Sequence, residues 1–470
     1  MNSLQLAQLL TQKYKTETHK PKNISRNQNY LTPNIRPTET YIYQSTRATL
    51  HSNKGSILDI SSMTVNTILG QNDPWVKANL IAYLQSDRPS FLSTRFGSEY
   101  YYKTARLIAK HSFIDNPVVN HRQCNGSDAT ELAILAAYNA SSKPHKTLIS
   151  FYGSYHGQNL TSYFVSDLQR HNIFLVNNTQ ANIKFFHPPT NEIAENQILE
   201  NIHHLRKFTF GIILEPIQVN NNIYTFSQRF LQKLKALCDQ EDIALIFDEI
   251  QTAYGWLGKM TASEYFNVKP NITALSKGIT SGFGPLAAIV ANKKYQEIPY
   301  GTGEKTNGAD IRSLVASTAV YQRLLGIPES QIPHNLPDYL HQELSTGLLA
   351  KVPQKSRIIT HYTNKIQKTF SPKDLKITGL LLLCGLTFTD KSKAQKAYQL
   401  LMDQNIYIRL SANTLIIKPA LTINDQELSY ALEKIFITLK QILPHSQAPN
   451  IPKPATQQLK PHYSHLSTLF

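Results

Sequence analysis

Ile243-Ala-Leu-Ile-Phe-Asp248-Glu249-Ile250-Gln251 is the stretch on which the fold turns. Five apolar residues running into two carboxylates read as a strand buried on both faces, with its carboxyl end opening onto something polar. An aspartate there is costly unless its charge meets a partner. Outward from this stretch, Thr147–Phe151, Gly211–Glu215 and Ala287–Ala291 are further strand candidates, and Ala129–Tyr138, Ser227–Glu241 and Asp310–Leu325 have helical spacing. Strands alternating with helices predict an α/β fold with a mainly parallel sheet. After Leu325-Gly326-Ile327-Pro328 the texture changes, and helical stretches with strands near Ile377–Phe388 and Thr414–Lys418 suggest a smaller α+β unit.

In such a sheet ligands sit beyond the carboxyl ends of the strands. Two more segments there are chemically loaded. Ala274-Leu275-Ser276-Lys277-Gly278 places one lysine after an apolar run, and a lysine in an apolar site loses basicity and can act as a Schiff-base nucleophile. Cys124-Asn125-Gly126-Ser127-Asp128 opens an amphipathic helix, whose free N–H groups can seat a phosphate. Singly, each has an ordinary explanation: a loop aspartate, a surface lysine, an N-cap by Ser127 or Asp128. Together they are what pyridoxal phosphate requires: an imine-forming lysine, an acid on the pyridine nitrogen and a phosphate seat.

The 470 residues carry 48 Lys+Arg against 32 Asp+Glu, a net +16 that invites a polyanion-binding reading. Half of that surplus lies in residues 1–58 and the tail from Pro444, outside the segments just described. The apolar run Gly379–Phe388 is far too short to span a bilayer and reads as one buried strand. No signal peptide is legible in Met1–Leu10, and the three cysteines lack metal spacing, so a cytoplasmic, metal-free protein is expected, with neither membrane nor nucleic acid as partner.

The succession Asn125-Gly126-Ser127-Asp128, Ser154-Tyr155-His156-Gly157, Glu215-Pro216-Ile217-Gln218, Phe247-Asp248-Glu249-Ile250-Gln251 and Ser276-Lys277-Gly278 resembles the class III aminotransferases among the fold type I pyridoxal-phosphate enzymes. The likeness covers roughly residues 50–440. It implies a large domain (59–328) around a mainly parallel, seven-stranded type of sheet, a small α+β domain (329–443), an N-terminal arm (1–58) packing with the small domain, and a Pro-rich tail (444–470). Carried across, Lys277 would form the imine and move the proton, Asp248 would pair with the pyridine nitrogen, Gln251 would lie near the ring hydroxyl, and Tyr155 would stack on the ring with His156 beside it. Glu215 would belong to the same cofactor set, and Gly126 and Ser127 would seat the phosphate. Thr306, with Thr302 as a second candidate, would reach the phosphate of a neighbouring subunit, implying a homodimer with shared active sites.

Three departures bear on substrate. Ile416 stands where many members have an arginine that grips a carboxylate, Asn220 where they have the acid that gates it, and Gln158 where several have another arginine. The usual glutamate/2-oxoglutarate pair is therefore not expected to be gripped in the usual way, and Arg95, Arg312, Arg409 and Lys418 are possible substitutes. Ala253 and Trp256 replace a usual glycine and arginine, with Trp256 expected at a domain contact, and Tyr41, Tyr43 and Arg47 are candidates to cover the site. The expected activity is transfer of an amino group between an amine or amino acid and a carbonyl acceptor. The alternatives are another pyridoxal-phosphate reaction on this fold (aminomutase, phospho-lyase, racemase, decarboxylase) or a non-catalytic polyanion-binding scaffold.

Overall fold

The computed structural model describes residues 5–8, 10–11, 40–93, 95–143, 146–168 and 182–444. Most of the N-terminal arm and nearly all of the Pro-rich tail lie outside them. At the centre is a seven-stranded sheet built from β1 (Pro117–Gln123), β2 (Thr147–Phe151), β3 (Asn182–Phe186), β4 (Thr209–Leu214), β5 (Ala244–Asp248), β6 (Ile272–Leu275) and β7 (Ala287–Asn292). Their order across the sheet is β1-β7-β6-β5-β4-β2-β3. Only β7 runs antiparallel to its neighbours; the other pairings are parallel. β5 is buried at every residue, which is why it reads as an unbroken apolar run. The β5–β6 register sets Asp248 level with Ala274, from which the chain passes through Leu275 and Ser276 to Lys277. Helices Gly126–Ala140, Gln228–Gln240 and Ile311–Leu325 match the helical spacing to within a turn. The first begins three residues earlier than its apolar pattern, because the cap is Asn125, whose side chain accepts from Asp128 N at 3.1 Å, rather than Ser127 or Asp128.

Two expectations change. Gly379–Phe388 is not one strand but most of a hairpin, Leu375–Leu380 against Leu383–Phe388, closed at the Leu380–Leu383 pair. An all-leucine turn carries no Gly, Asn or Pro signal. It forms because Leu382 is buried and donates its N–H to the Trp256 carbonyl at 3.3 Å, holding Leu381 at φ 52°. The hairpin joins Thr414–Ile417 and Arg409–Ser411 in a four-stranded sheet. The end of the arm is also not simply extended: Ile42–Thr46, Thr49–Ser52 and Gly55–Asp59 form antiparallel strands, and the last of them pairs in parallel with Ile406–Tyr407.

Arg323, 1% exposed, anchors the helix Ile311–Leu325. Its Nε lies 3.0 Å from Asp73 Oδ2 and its Nη2 2.7 Å from Glu343 Oε2, and Lys351 Nζ meets the other Glu343 oxygen at 3.0 Å. Removing one member of a buried ion network leaves uncompensated charge behind. Arg323→Ala should therefore lower the free energy of unfolding, measured by chemical denaturation, by about 3–5 kcal/mol.

Candidate active site

A cavity of about 350 Å³ opens at the carboxyl ends of β5 and β6. Lining it are the helix start Asn125–Ser127, Tyr155, His156 and Gly157 after β2, Glu215 after β4, Asp248 and Gln251 after β5, and Lys277 after β6. Residues far apart in the chain thus meet in one place because the parallel strands all end on the same side.

Asp248 is 3% exposed, and its Oδ2 lies 2.8 Å from Nδ1 of the fully buried His156. Oδ1 accepts from Ile250 N at 3.1 Å. His156 is held from behind by its own N–H, which donates to Ser166 Oγ at 2.7 Å. Glu215 accepts from Tyr155 N at 2.9 Å and from Gln251 Nε2 at 3.5 Å. Burial, reinforced by the negative charge of Asp248, pushes the Glu215 carboxyl well above its usual range. Lys277 opens a 3₁₀ turn at φ 44°, a left-handed conformation that L-residues avoid by about 1–2 kcal/mol. Burial lowers its basicity, the charge of Arg409 lowers it further, and Asp248 and Glu215 act in the opposite sense.

Two glycines are required by space. A Cβ on Gly126 would stand 2.7 Å from Ile250 Cδ1, and Gly157, at φ 128°, would put one 2.4 Å from Ser127 Oγ. Both keep open the approach to the helix N-terminus, where Gln158 N donates to Ser127 Oγ at 3.0 Å. This donor set fits pyridoxal phosphate: helix-end N–H groups for the phosphate, a buried carboxylate oriented by His156 for the pyridine nitrogen, and a lysine of reduced basicity for the carbonyl carbon.

Not every expected residue joins the cavity. Thr306 is exposed on a turn outside it, and Thr302 is also absent from its wall. Arg312 pairs with Asp310 at 3.0 Å, and Arg47 lies 4.5 Å from the Tyr339 ring centroid, along a different cavity. Neither Arg95, Tyr41 nor Tyr43 lines the site. Ile416 is buried, and its cross-strand partner is Arg409. Arg409 Nη2 donates to Asn220 Oδ1 at 2.6 Å, so a cation lies one strand over from position 416, beside the position where an acid is missing, although it is not part of the cavity wall. Asn66 lines the cavity at the end of a left-handed turn, Ser62–Val65, in which every φ lies between 46° and 78°. Nothing in the sequence marked that turn, because it contains no glycine.

The class III aminotransferase family model matches residues 36–439. Curated relatives include an acetylornithine aminotransferase from Haemophilus ducreyi, 26% identical over 400 residues that cover 82% of this chain and 89% of the relative. A succinylornithine transaminase from Yersinia enterocolitica is 24% identical over 437 residues, 88% of this chain and 95% of the relative. An adenosylmethionine-8-amino-7-oxononanoate aminotransferase from Helicobacter pylori is 33% identical over 181 residues, 36% of this chain and 41% of its own. Among solved structures, a Bacillus anthracis aminotransferase superposes with a TM-score of 0.73 at 18% identity, covering 94% of this chain and 100% of its own. A Toxoplasma gondii ornithine aminotransferase with partial occupancy of PLP at its active site gives 0.73 at 18%, covering 88% and 93%.

The environment of Lys277 can be read directly. Because burial lowers its basicity, its amine should be acylated by limiting acetic anhydride with a pH midpoint below that of the exposed lysines, as measured by mass spectrometry. A midpoint equal to theirs would contradict the buried site.

Proposed function

The chain belongs to the class III aminotransferase family and is a transaminase, and from that premise we propose that it binds pyridoxal phosphate through Lys277 and acts on a carboxylate-bearing amine that Arg409 grips. The observation that carries the reading is the convergence of Lys277, Asp248, His156 and the Asn125–Ser127 helix start on one cavity. When bound, the cofactor supplies a carbonyl carbon that captures an amino group and a ring that takes up an electron pair. Everything else is the task of this chain. Asp248, fixed by His156, stabilises positive charge at the ring nitrogen. Lys277, of lowered basicity, would hold the cofactor's carbonyl carbon as an imine and would supply the amine that takes and returns the proton at the substrate carbon. Gly126 and Ser127 hold the phosphate with backbone and hydroxyl donors. Tyr155 and Gln251 confine the ring. Gln158 lies beside the phosphate seat through its N–H to Ser127.

Arg409 favours a carboxylate for three reasons. It pairs across the strands with Ile416, it is largely buried, and its charge acts on Lys277, Tyr155 and Glu215. Its partner Asn220 is neutral, so the guanidinium is not silenced by an acid as it would be in a gated arginine. The relatives' names fit, since acetylornithine, succinylornithine and amino-oxononanoate all bear carboxylates. An exposed Thr306 beyond its own cavity supports a homodimer in which that turn serves the other subunit's phosphate.

Lys277→Ala should lose both the visible Schiff-base absorption and activity. Mixing it with an impaired Thr306→Ala protein should restore wild-type turnover at one site per mixed dimer. No recovery would place Thr306 outside a shared site, and a band that persists in Lys277→Ala without added amine would sink the assignment of the lysine.

Arg409→Met should raise KM about 10- to 100-fold for an amino-acid donor while leaving that for an alkylamine without a carboxylate unaffected. Equal effects on both donors would show that Arg409 does not read a carboxylate.

A further inference from the structure

Lys418 follows the strand Thr414–Ile417 and is fully buried. Among the described residues no carboxylate lies within ion-pairing distance of it. Its Nζ donates to the backbone carbonyl of Gln251 and lies 4.6 Å from the centroid of the Trp256 ring. Its own backbone is tied elsewhere: its N–H donates to Ile60 O and its carbonyl accepts from Ser62 Oγ, both at 2.8 Å. Burial pushes its basicity well down, and the positive charges of Lys277 and Arg409 act in the same sense.

A lysine so placed is a poor stabilising element. Taking an amine out of water without a carboxylate is costly, and an apolar side chain of the same length would fill the space more favourably. What the amine does reach is the turn Gln251–Trp256, touched at both ends: the first carbonyl by hydrogen bond, the last ring by cation–π contact. Gln251 lines the cavity and directs its amide at Glu215, so the conformation of this turn decides where the amide points. The rest of the turn is held by other bonds, Thr252 Oγ1 to Glu249 Oε2 at 3.3 Å, Tyr254 N to Met260 O at 2.7 Å and Leu382 N to Trp256 O at 3.3 Å, and these leave the Gln251 carbonyl to Lys418.

We propose that Lys418 is a positioning residue that clamps the Gln251–Trp256 turn from the C-terminal sheet and thereby presents the Gln251 amide to the bound cofactor. The clamp spans elements far apart in the chain, so it couples the seating of Ile60–Ser62 and of the strand Thr414–Ile417 to the wall of the cavity. This inference rests on the cofactor reading given above.

The test is a double-mutant cycle on cofactor affinity, followed by absorbance as pyridoxal phosphate is added to the apo forms of wild type, Lys418→Met, Gln251→Ala and the double variant. Each single change should weaken binding about five- to tenfold, the scale of one hydrogen bond. Because Lys418 acts through the Gln251 side chain, the double variant should bind no more weakly than the weaker single. Apo Lys418→Met should melt at or above the wild-type temperature, a result that a packing role would not give. Unchanged affinity in Lys418→Met, or losses that multiply in the double variant, would overturn the proposal. Should Lys418→Met fail to fold, Lys418→Gln replaces it in the same cycle. If wild type itself forms no Schiff base, the cofactor reading falls first; if it does and the cycle multiplies, only the clamp falls.

Discussion

A carboxylate at the end of a fully buried strand is the constraint around which the molecule is arranged. Asp248 cannot be hidden alone, and its charge calls for His156 at 2.8 Å, which in turn needs Ser166 behind it and a main chain that turns sharply at Gly157. That turn can pass the helix start only because Gly157 has no side chain to strike Ser127. The same burial raises Glu215, so the acids around the cavity are not equivalent. Tyr155 N and Gln251 Nε2 donate to Glu215, yet burial and the charge of Asp248 outweigh them and hold its carboxyl high.

The middle of the central sheet was legible because β2, β4, β5 and β7 are largely apolar and the helices around them amphipathic, whereas β1 and β3, with polar residues along them, gave no such signal. β2 falls on its expected residues and β5 within one of them. The hairpin at Leu381-Leu382 was not legible, since a turn stabilised by burial against Trp256 bears none of the residues that mark exposed turns. The strands at 42–59 were missed for a related reason: they are short, largely polar, and become a sheet through a partner more than three hundred residues away.

Within the cavity the sequence carried the motif residues, each following a strand. It did not carry relations between strands. That Arg409 faces Ile416 follows from the register of two short antiparallel strands, and no spacing along the chain encodes it. Nor did the sequence distinguish Lys418 from a surface charge, because its burial is imposed by Ile60, Ser62 and Trp256, all distant in the chain.

The parallel pairing of Gly55–Asp59 with Ile406–Tyr407, together with the hydrogen bond from Ser61 Oγ to Ile416 O, ties the beginning of the folded chain to its last quarter. A growing polypeptide can assemble β1 to β7 while still attached to the ribosome, but it cannot close this seam until some 410 residues have been made. Contacts of such long sequence separation form late, because their loop-closure entropy must be met first. The nascent protein therefore carries Lys277 and Asp248 for much of synthesis before the strand that bears Arg409 exists, so the chemical groups of the cavity are made long before the C-terminal sheet that packs beside them.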